Sequence, residues 1–424
     1  MNFFKQWGKF MIQGSRFYAQ WEINNAATIL NSRRRTAILV LLLIPAIIGG
    51  IVFAEDIATA MPDILGGHNA YSPSYYSFGI FVVSIFVGLL AGLITGCIGA
   101  GGGFIIAPAL MSAGIKGILA VGTDLFHIFA KAIMGSVIHR KLGNVSVPLA
   151  FVFVIGALIG ATGGGLLNRY LYELNPVLSD AFISSVYVFM LGFLGIYAMT
   201  DFLKSKSTAT GGDDTGQDAM GGLPRRLQAI SLPPMVKFDF EITPGGRSIS
   251  WVFLVLSGML VGLAAGIMGV GGGFLTFPIF VYVLGVSSMT TVGTDIFQII
   301  FTAGYASITQ YAIYGFIFYT LAIGMLLGSL VGIQIGAMVT KVVNDKTIRG
   351  FYAITILAGF VNRLFSLPAK LGNMDLISIS KGTGAILNQI GTWAFFLVVG
   401  IFGIWVFTVF FKNLKTLRGK EVRS

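Results

Sequence analysis

The sequence predicts an all-α polytopic membrane protein of about ten transmembrane helices. It has two inverted-topology repeats, each holding a glycine-rich helix break and a short half-helix. Three observations predict this. Of 424 residues, 55% are hydrophobic and 11% charged, with a mean hydropathy of +0.84, whereas a soluble domain carries about 25% charged residues. Apolar runs long enough to cross roughly 30 Å of hydrocarbon, about 20 residues each, recur along the chain. The stretch after a polar linker repeats the glycine pattern of the stretch before it. A soluble globular enzyme is excluded on composition. The 57 glycines, about twice the usual ~7%, sit inside apolar runs, where they mark close helix contacts or broken helices.

In chain order, residues 1–35 form a basic leader. Phe3, Trp7, Phe10, Met11, Phe17, Tyr18 and Trp21 recur at helical spacing with Lys5, Lys9 and Arg16 between them. That pattern suits an amphipathic helix on the cytoplasmic leaflet or one packed on its own protein. The leader is longer than a usual signal-peptide n-region, so the first apolar run, 36–54, is expected to stay uncleaved. Further spans are expected at 78–98, 118–139, 145–168 and 181–203, which with their short connections make repeat 1 (78–203). A cytoplasmic linker at 204–247 follows; its first part is rich in Gly, Ser, Thr and Asp, and its later, more hydrophobic part suits docking on the membrane portion. Repeat 2 (248–365) holds spans at 249–269, 288–311, 316–340 and 350–365, and a last span at 385–411 precedes a tail at 412–424. Two apolar pieces, 104–113 and 274–284, are too short to cross and read as half-helices.

Orientation follows from the basic residues between spans. The leader, the 140–144 turn, the linker, the 341–349 turn and the tail together carry 22 of the 28 Lys and Arg. Lys116, Arg169, Lys370 and Lys381 fall on the other side, while Lys131 and Arg363 lie within spans. Both termini are therefore expected in the cytoplasm, consistent with an inner-membrane, multi-pass protein. The net charge of +11 is explained by this bias, and no nucleic-acid partner is implied. The single Cys97 permits no internal disulfide.

The repeat is direct. GLLAGLITGCIGAGGGFIIAP (88–108) matches GMLVGLAAGIMGVGGGFLTFP (258–278), and VGTDLF (121–126) matches VGTDIF (292–297). Gly143/Gly315, Gly156/Gly328, Gly160/Gly332 and Gly164/Gly336 continue the series. By the charge count, repeat 1 begins outside and repeat 2 inside. Inverted repeats with interrupted helices are the architecture of many secondary transporters, with the substrate site near the midplane; a channel could share it.

Two constellations carry chemistry. The runs Gly101, Gly102, Gly103 and Gly271, Gly272, Gly273 stand between a span and a half-helix, so a break there would free N–H groups to cradle an anion. Tight helix packing is the alternative for such small residues. The second constellation is Thr123–Asp124 with Thr294–Asp295, since ionisable groups inside spans point to ligand or proton contact; helix capping is the plain alternative. His127 and Lys131 follow Asp124 on one helix face, and Gln298 and Thr302 occupy the matching positions of repeat 2. Lys131 needs an internal ion pair or a substrate. Arg363, beside Asn362, sits near the expected outer end of its span and either snorkels or meets substrate. His139, next to Arg140 and Lys141, reads as a loop residue. No metal cluster, nucleotide-binding loop or nucleophile motif is present, so no cofactor is implied.

At GCIGAGGGFIIAPAL (96–110), AVGTDLF (120–126), HRKLGNVS (139–146), GIMGVGGGFLTFPIF (266–280), TVGTDIF (291–297) and YAIYGFI (311–317), the chain resembles the TauE/SafE sulfite exporter family, also called the 4-toluene sulfonate uptake permease family. The resemblance covers about 78–365. It implies a secondary carrier of sulfite, sulfonates or related organosulfur anions across the bacterial inner membrane, commonly proton-linked and compatible with a homo-oligomer. On that reading, the glycine runs with Thr123, Thr294, His127, Gln298, Lys131 and Arg363 line the substrate site, and Asp124 and Asp295 accept protons. The partners are then the anion, protons and membrane lipid. The chain departs from the family pattern by reading Gly-Thr-Asp where Gly-Thr-Ser is usual, in both repeats. Paired carboxylates also suit a cation or proton-coupled ion exchanger, the alternative function.

Overall fold

The computed structural model describes residues 78–98, 102–141, 145–207, 222–239, 246–339, 342–343 and 345–413. The leader, the 36–54 span, Gly101, much of the linker and most of the tail lie outside the described residues. The described residues are nearly all helical. In order come α1 (Phe78–Ile98), the half-helix α2 (Gly103–Ser112), α3 (Gly117–Lys141), α4 (Val147–Leu174) and α5 (Pro176–Ser207). A short linker unit follows, made of α6 (Gly222–Ala229), β1 (Met235–Phe238) and β2 (Arg247–Ser250). Then come α7 (Trp251–Met268), the half-helix α8 (Gly273–Pro278) prolonged by a π-helical turn to Leu284, and α9 (Ser288–Tyr305), prolonged by a π-helical turn to Tyr311 and a 3-10 turn to Tyr314. Next are α10 (Tyr319–Val339), α11 (Asp345–Gly372) and α12 (Lys381–Lys412).

Among the described residues, seven helices are long and apolar enough to cross a membrane: α1, α4, α5, α7, α10, α11 and α12. Phe86, Phe189, Phe193, Leu260, Trp393 and Ile404 are exposed, as lipid-facing side chains are when the solvent is hydrocarbon. The helices α3 and α9 have the length of spans but carry polar stripes, and they lie side by side in the middle. The element order α1–α5 recurs as α7–α11, as the sequence repeat requires.

Several boundaries run beyond the apolar stretches. Helix α11 continues to Gly372, past the expected end at 365 and through Pro368. Helices α4 and α5 are separated by Asn175 alone, so Arg169, assigned by charge counting to a loop, lies inside α4 and is buried. Helix α3 extends to Lys141, so the backbone at His139 is helical rather than loop.

The repeated glycines are explained by two interlocked helix pairs. A Cβ on Gly88 or Gly92 of α1 would fall on the backbone of Met325 or Ser329 in α10, and one on Gly328, Gly332 or Gly336 on Ile85, Leu89 or Leu93 in α1. The pair α4·α7 repeats this, with Gly156, Gly160 and Gly164 against Val255, Met259 and Leu263, and Gly258, Gly262 and Gly266 against Phe153, Ala157 and Ala161. Each pair joins one repeat to the other by backbone contact, the close approach that small residues permit in lipid. Gly160→Val would place a methine 2.0 Å from the Met259 carbonyl oxygen, and backbone cannot step aside as a side chain does. The expected cost is at the upper end of overpacking, about 3 kcal/mol, read as a lower melting temperature in detergent. A wild-type melt for this variant would refute the interlock.

The later part of the linker docks on the turn after α8. Strands β1 and β2 pair antiparallel with Val236 opposite Ile249, burying both with Phe238. Gln228 Nε2 donates to the Leu284 carbonyl at 2.8 Å, and an Arg247 Nη donates to that of Gly285 at 2.9 Å. The Asp239 carboxylate accepts from Ser287 N and Oγ at 2.9 and 2.8 Å. The linker thus satisfies orphan carbonyls where one helical segment ends and braces Ser287, the residue whose hydroxyl caps α9.

Candidate functional site

Both glycine runs are helix breaks. Gly102 and Gly272 stand at the N-terminus of their half-helices with φ of 69° and 87°, the left-handed region that glycine enters without penalty. The two breaks meet: a Cβ on Gly103 would lie 3.0 Å from Val270 Cα, and the Ile128 side chain of α3 packs against both Gly103 and Gly271. The centre of the molecule is therefore two facing breaks flanked by α3 and α9.

On the α3 side, Asp124 and His127 are completely buried and Lys131 is 9% exposed. His127 Nδ1 lies 3.6 Å from Asp124 Oδ1, too far for a hydrogen bond. His127 Nε2 lies 3.0 Å from Ser329 Oγ of α10, whose proton goes to the Leu326 carbonyl at 3.2 Å. While that hydroxyl donates to Leu326, Nε2 is the donor and Nδ1 faces the carboxylate unprotonated; with the hydroxyl turned to Nε2, Nδ1 carries the proton towards the carboxylate. Neither Asp124 oxygen nor Nδ1 makes a close hydrogen bond among the described residues, and the Asp124 carboxylate faces the Lys131 ammonium and the Ala107 backbone N–H of α2. Lys131 Nζ donates to Thr95 Oγ1 of α1 at 3.3 Å. A buried acid and base facing each other across a gap can hold one proton between them or receive a ligand.

The α9 side is chemically different. Asp295 Oδ1 accepts from Gln298 Nε2 at 2.9 Å, and Thr302 Oγ1 donates to Gln298 Oε1 at 2.8 Å. The other oxygen, Oδ2, would lie 3.0 Å from a Cβ on Gly273, so this carboxylate sits against the start of α8, where its charge complements the half-helix terminus. The sequence aligns Asp124 with Asp295, but the second is closed into a side-chain relay and the first is open.

Thr123 and Thr294 each accept a backbone hydrogen bond from the opposite repeat. Thr123 Oγ1 accepts from Phe318 N, just before α10, at 2.9 Å, and Thr294 Oγ1 accepts from Ser146 N, just before α4, at 3.0 Å. Each threonine caps the start of a helix in the opposite repeat.

Arg363 is not at an interface with water. It is 1% exposed and donates to Asn362 Oδ1 at 2.7 Å, Ser112 Oγ at 2.8 Å and the Pro108 carbonyl at 3.2 Å. Snorkelling is thereby overturned, because α11 continues nine residues beyond it. These contacts also place it at the far end of α2 from Gly103, away from the central breaks.

Several residues escaped the sequence reading. Ser329 and Thr95 are lone polar side chains in apolar spans, which sequence alone does not connect to His127 and Lys131. Asn168 Nδ2 donates to the carbonyls of Gly266 at 3.2 Å and Ile267 at 2.9 Å and to Tyr311 Oη at 2.9 Å. Tyr311 Oη donates to the Gly266 carbonyl, and Tyr187 Oη to that of Met268 at 2.5 Å. These three side chains satisfy the last carbonyls of α7, where the glycine break leaves them without helical partners. Arg169 reinforces the same corner, donating to the Gln310 carbonyl at 2.6 Å and to its Oε1 at 2.9 Å and covering the Tyr314 ring at 3.9 Å.

The family model for the sulfite exporter TauE/SafE matches residues 84–363. Similar curated proteins include the probable membrane transporter YunE of Bacillus subtilis, 24% identical over 63% of this chain and 91% of that protein. Another is the probable membrane transporter YjnA of the same organism, 25% identical over 66% of this chain and 97% of that protein. The sulfite exporter TauE/SafE family protein 6 of Arabidopsis thaliana is 39% identical over 18% of each chain. No solved structure matches.

Proposed function

From membership of the sulfite exporter TauE/SafE family, to which this chain belongs, we propose that this membrane transporter is a proton-linked secondary carrier of sulfite, a sulfonate or a related organosulfur anion. It would work by alternating access in the bacterial inner membrane with both termini cytoplasmic. The observation that carries the proposal is the fully buried Asp124–His127 pair, with no close hydrogen bond to the carboxylate and Lys131, its facing cation, one turn further along the same helix face. A proton on the pair removes its negative charge, leaving Lys131 and the glycine-break N–H groups of α2 to favour an anion. Loss of the proton restores the carboxylate and disfavours the anion, which couples the two movements by charge. The inverted order of the repeats, read from the charge bias, supplies the two access states. Asp295 holds α9 to the start of α8 in this scheme.

Uptake of labelled sulfite into proteoliposomes preloaded with unlabelled anions, one at a time and at two pH values, tests the proposal. Counterflow is expected with sulfur oxyanions, and Lys131→Ala should weaken it at least tenfold. Sodium or divalent-cation exchange that survives Lys131→Ala, with no anion counterflow from folded protein, would replace the reading by a cation exchanger.

A further inference from the structure

A second group of cations lies at the end of the molecule where α2 stops, α3 and α5 begin and α11 ends. Lys370 Nζ donates to Ser184 Oγ at 2.8 Å and to the Asp180 backbone carbonyl at 3.1 Å. Lys116 Nζ reaches Tyr172 Oη at 3.4 Å and lies over its ring. About two helical turns deeper along α11, roughly 10 Å, the Arg363 guanidinium is bonded to Asn362, Ser112 and Pro108.

All three acceptors of Arg363 and both acceptors of Lys370 are neutral, and neither cation has an ion pair with a carboxylate among the described residues. The acid within the group is Asp180, whose carboxylate faces Lys370, Arg363 and Lys116 as their common counter-charge and whose Oδ1 accepts from the first backbone N–H of α3, on Gly117, at 2.6 Å. Glu173 and Asp375 on neighbouring segments are exposed. Beside Asp180, Ser179 is fully buried with its hydroxyl unpartnered. One carboxylate thus faces three cations, with the lysines half-buried and the guanidinium fully buried, and surplus charge on a buried guanidinium is expensive unless an anion offsets it.

We propose that Lys370, Lys116 and Arg363 form an anteroom that takes a small sulfonate or sulfur oxyanion before it reaches the central breaks. The anion meets the two lysines first, then Nη1 of Arg363, the guanidinium nitrogen that Asn362, Ser112 and Pro108 leave over. Helix α2 leads from Ser112 to Gly103, about 15 Å, and carries it to the centre. The anteroom rests on the anion-carrier reading for its purpose, and its occupancy is measurable without transport.

The test uses the full chain with Cys97→Ser and a single reporter, Ser112→Cys, at the half-buried position touching Arg363. Its modification rates by the anionic methanethiosulfonate ethylsulfonate and by the cationic trimethylammonium reagent are compared, normalised to Thr383→Cys, an exposed site on α12. The anionic reagent is expected to gain at least tenfold over the control ratio, methanesulfonate to slow it, and Lys370→Gln to return the ratio towards the control. Size-exclusion profiles establish that each variant is folded. An anion preference absent at Ser112→Cys, or unchanged by Lys370→Gln, overturns the anteroom, as does failure of both reagents to react. Because labelling needs no substrate movement, loss of counterflow with retained charge selectivity would instead condemn the carrier reading.

Discussion

Asp124→Asn is expected to abolish proton-linked counterflow, whereas Asp295→Asn keeps most of it, although the two aspartates occupy matching positions of the repeat. The distinction comes from their partners. Asparagine at 295 still offers an oxygen to Gln298 Nε2, so the relay through Thr302 survives. At 124, the carboxylate faces His127 Nδ1 across 3.6 Å with no close hydrogen bond to either oxygen, and an amide cannot take up and release the proton. A positioned proton-transfer group is worth roughly 10² to 10⁴ in rate, so the Asp124→Asn deficit should be at least about 100-fold. Exchange driven by anion gradients alone, measured at equal pH on both sides, should fall less. Equal losses in the two variants would sink the asymmetry between the repeats.

Asn168→Leu is expected to lower stability through lost hydrogen bonds rather than lost packing. Its amide nitrogen serves the Gly266 and Ile267 carbonyls and the Tyr311 hydroxyl, all buried at the broken end of α7. A buried polar group stripped of its partner costs about 1–3 kcal/mol. Tyr311 still donates to Gly266, so the Ile267 carbonyl bears most of the loss, and leucine branches into space shaped for a planar amide. The variant should melt well below wild type in a size-exclusion thermal series. Tyr187→Phe, which removes one donor to Met268, should fall between them. Coincident melts for Asn168→Leu and wild type would show that the carbonyls are satisfied otherwise.

The architecture was legible because a membrane span is mainly a statement about composition and length. The glycine breaks were legible because a run of three, met twice at one offset, has few other uses. The stripe Asp124–His127–Lys131 could be read from helical periodicity, and its neutral counterpart Gln298–Thr302 already hinted that the repeats differ. What could not be read depends on the third dimension. Ser329 is one serine among many until α10 brings it to His127. Arg363 and Arg169 were misplaced because hydropathy marks where an apolar run ends, whereas helices α11 and α4 continue on internal hydrogen bonds and tertiary packing. The hydrogen bonds that Thr123 and Thr294 accept from Phe318 and Ser146 were equally illegible, because those partners lie in the opposite repeat.

The interlocked glycine faces also constrain how the protein is made. Cys97, near the end of α1, donates to the Gly336 carbonyl of α10 across 239 residues of chain, and the glycine contacts of that pair are equally remote in sequence. A ribosome that has released α1 and α4 into the bilayer must synthesise the linker before α4 meets α7, and most of the second repeat before α1 meets α10. Until then their notched faces pack against lipid or an insertion chaperone. The first repeat synthesised alone should therefore be a target for membrane proteases, while its co-expression with the second as a separate chain should rescue both.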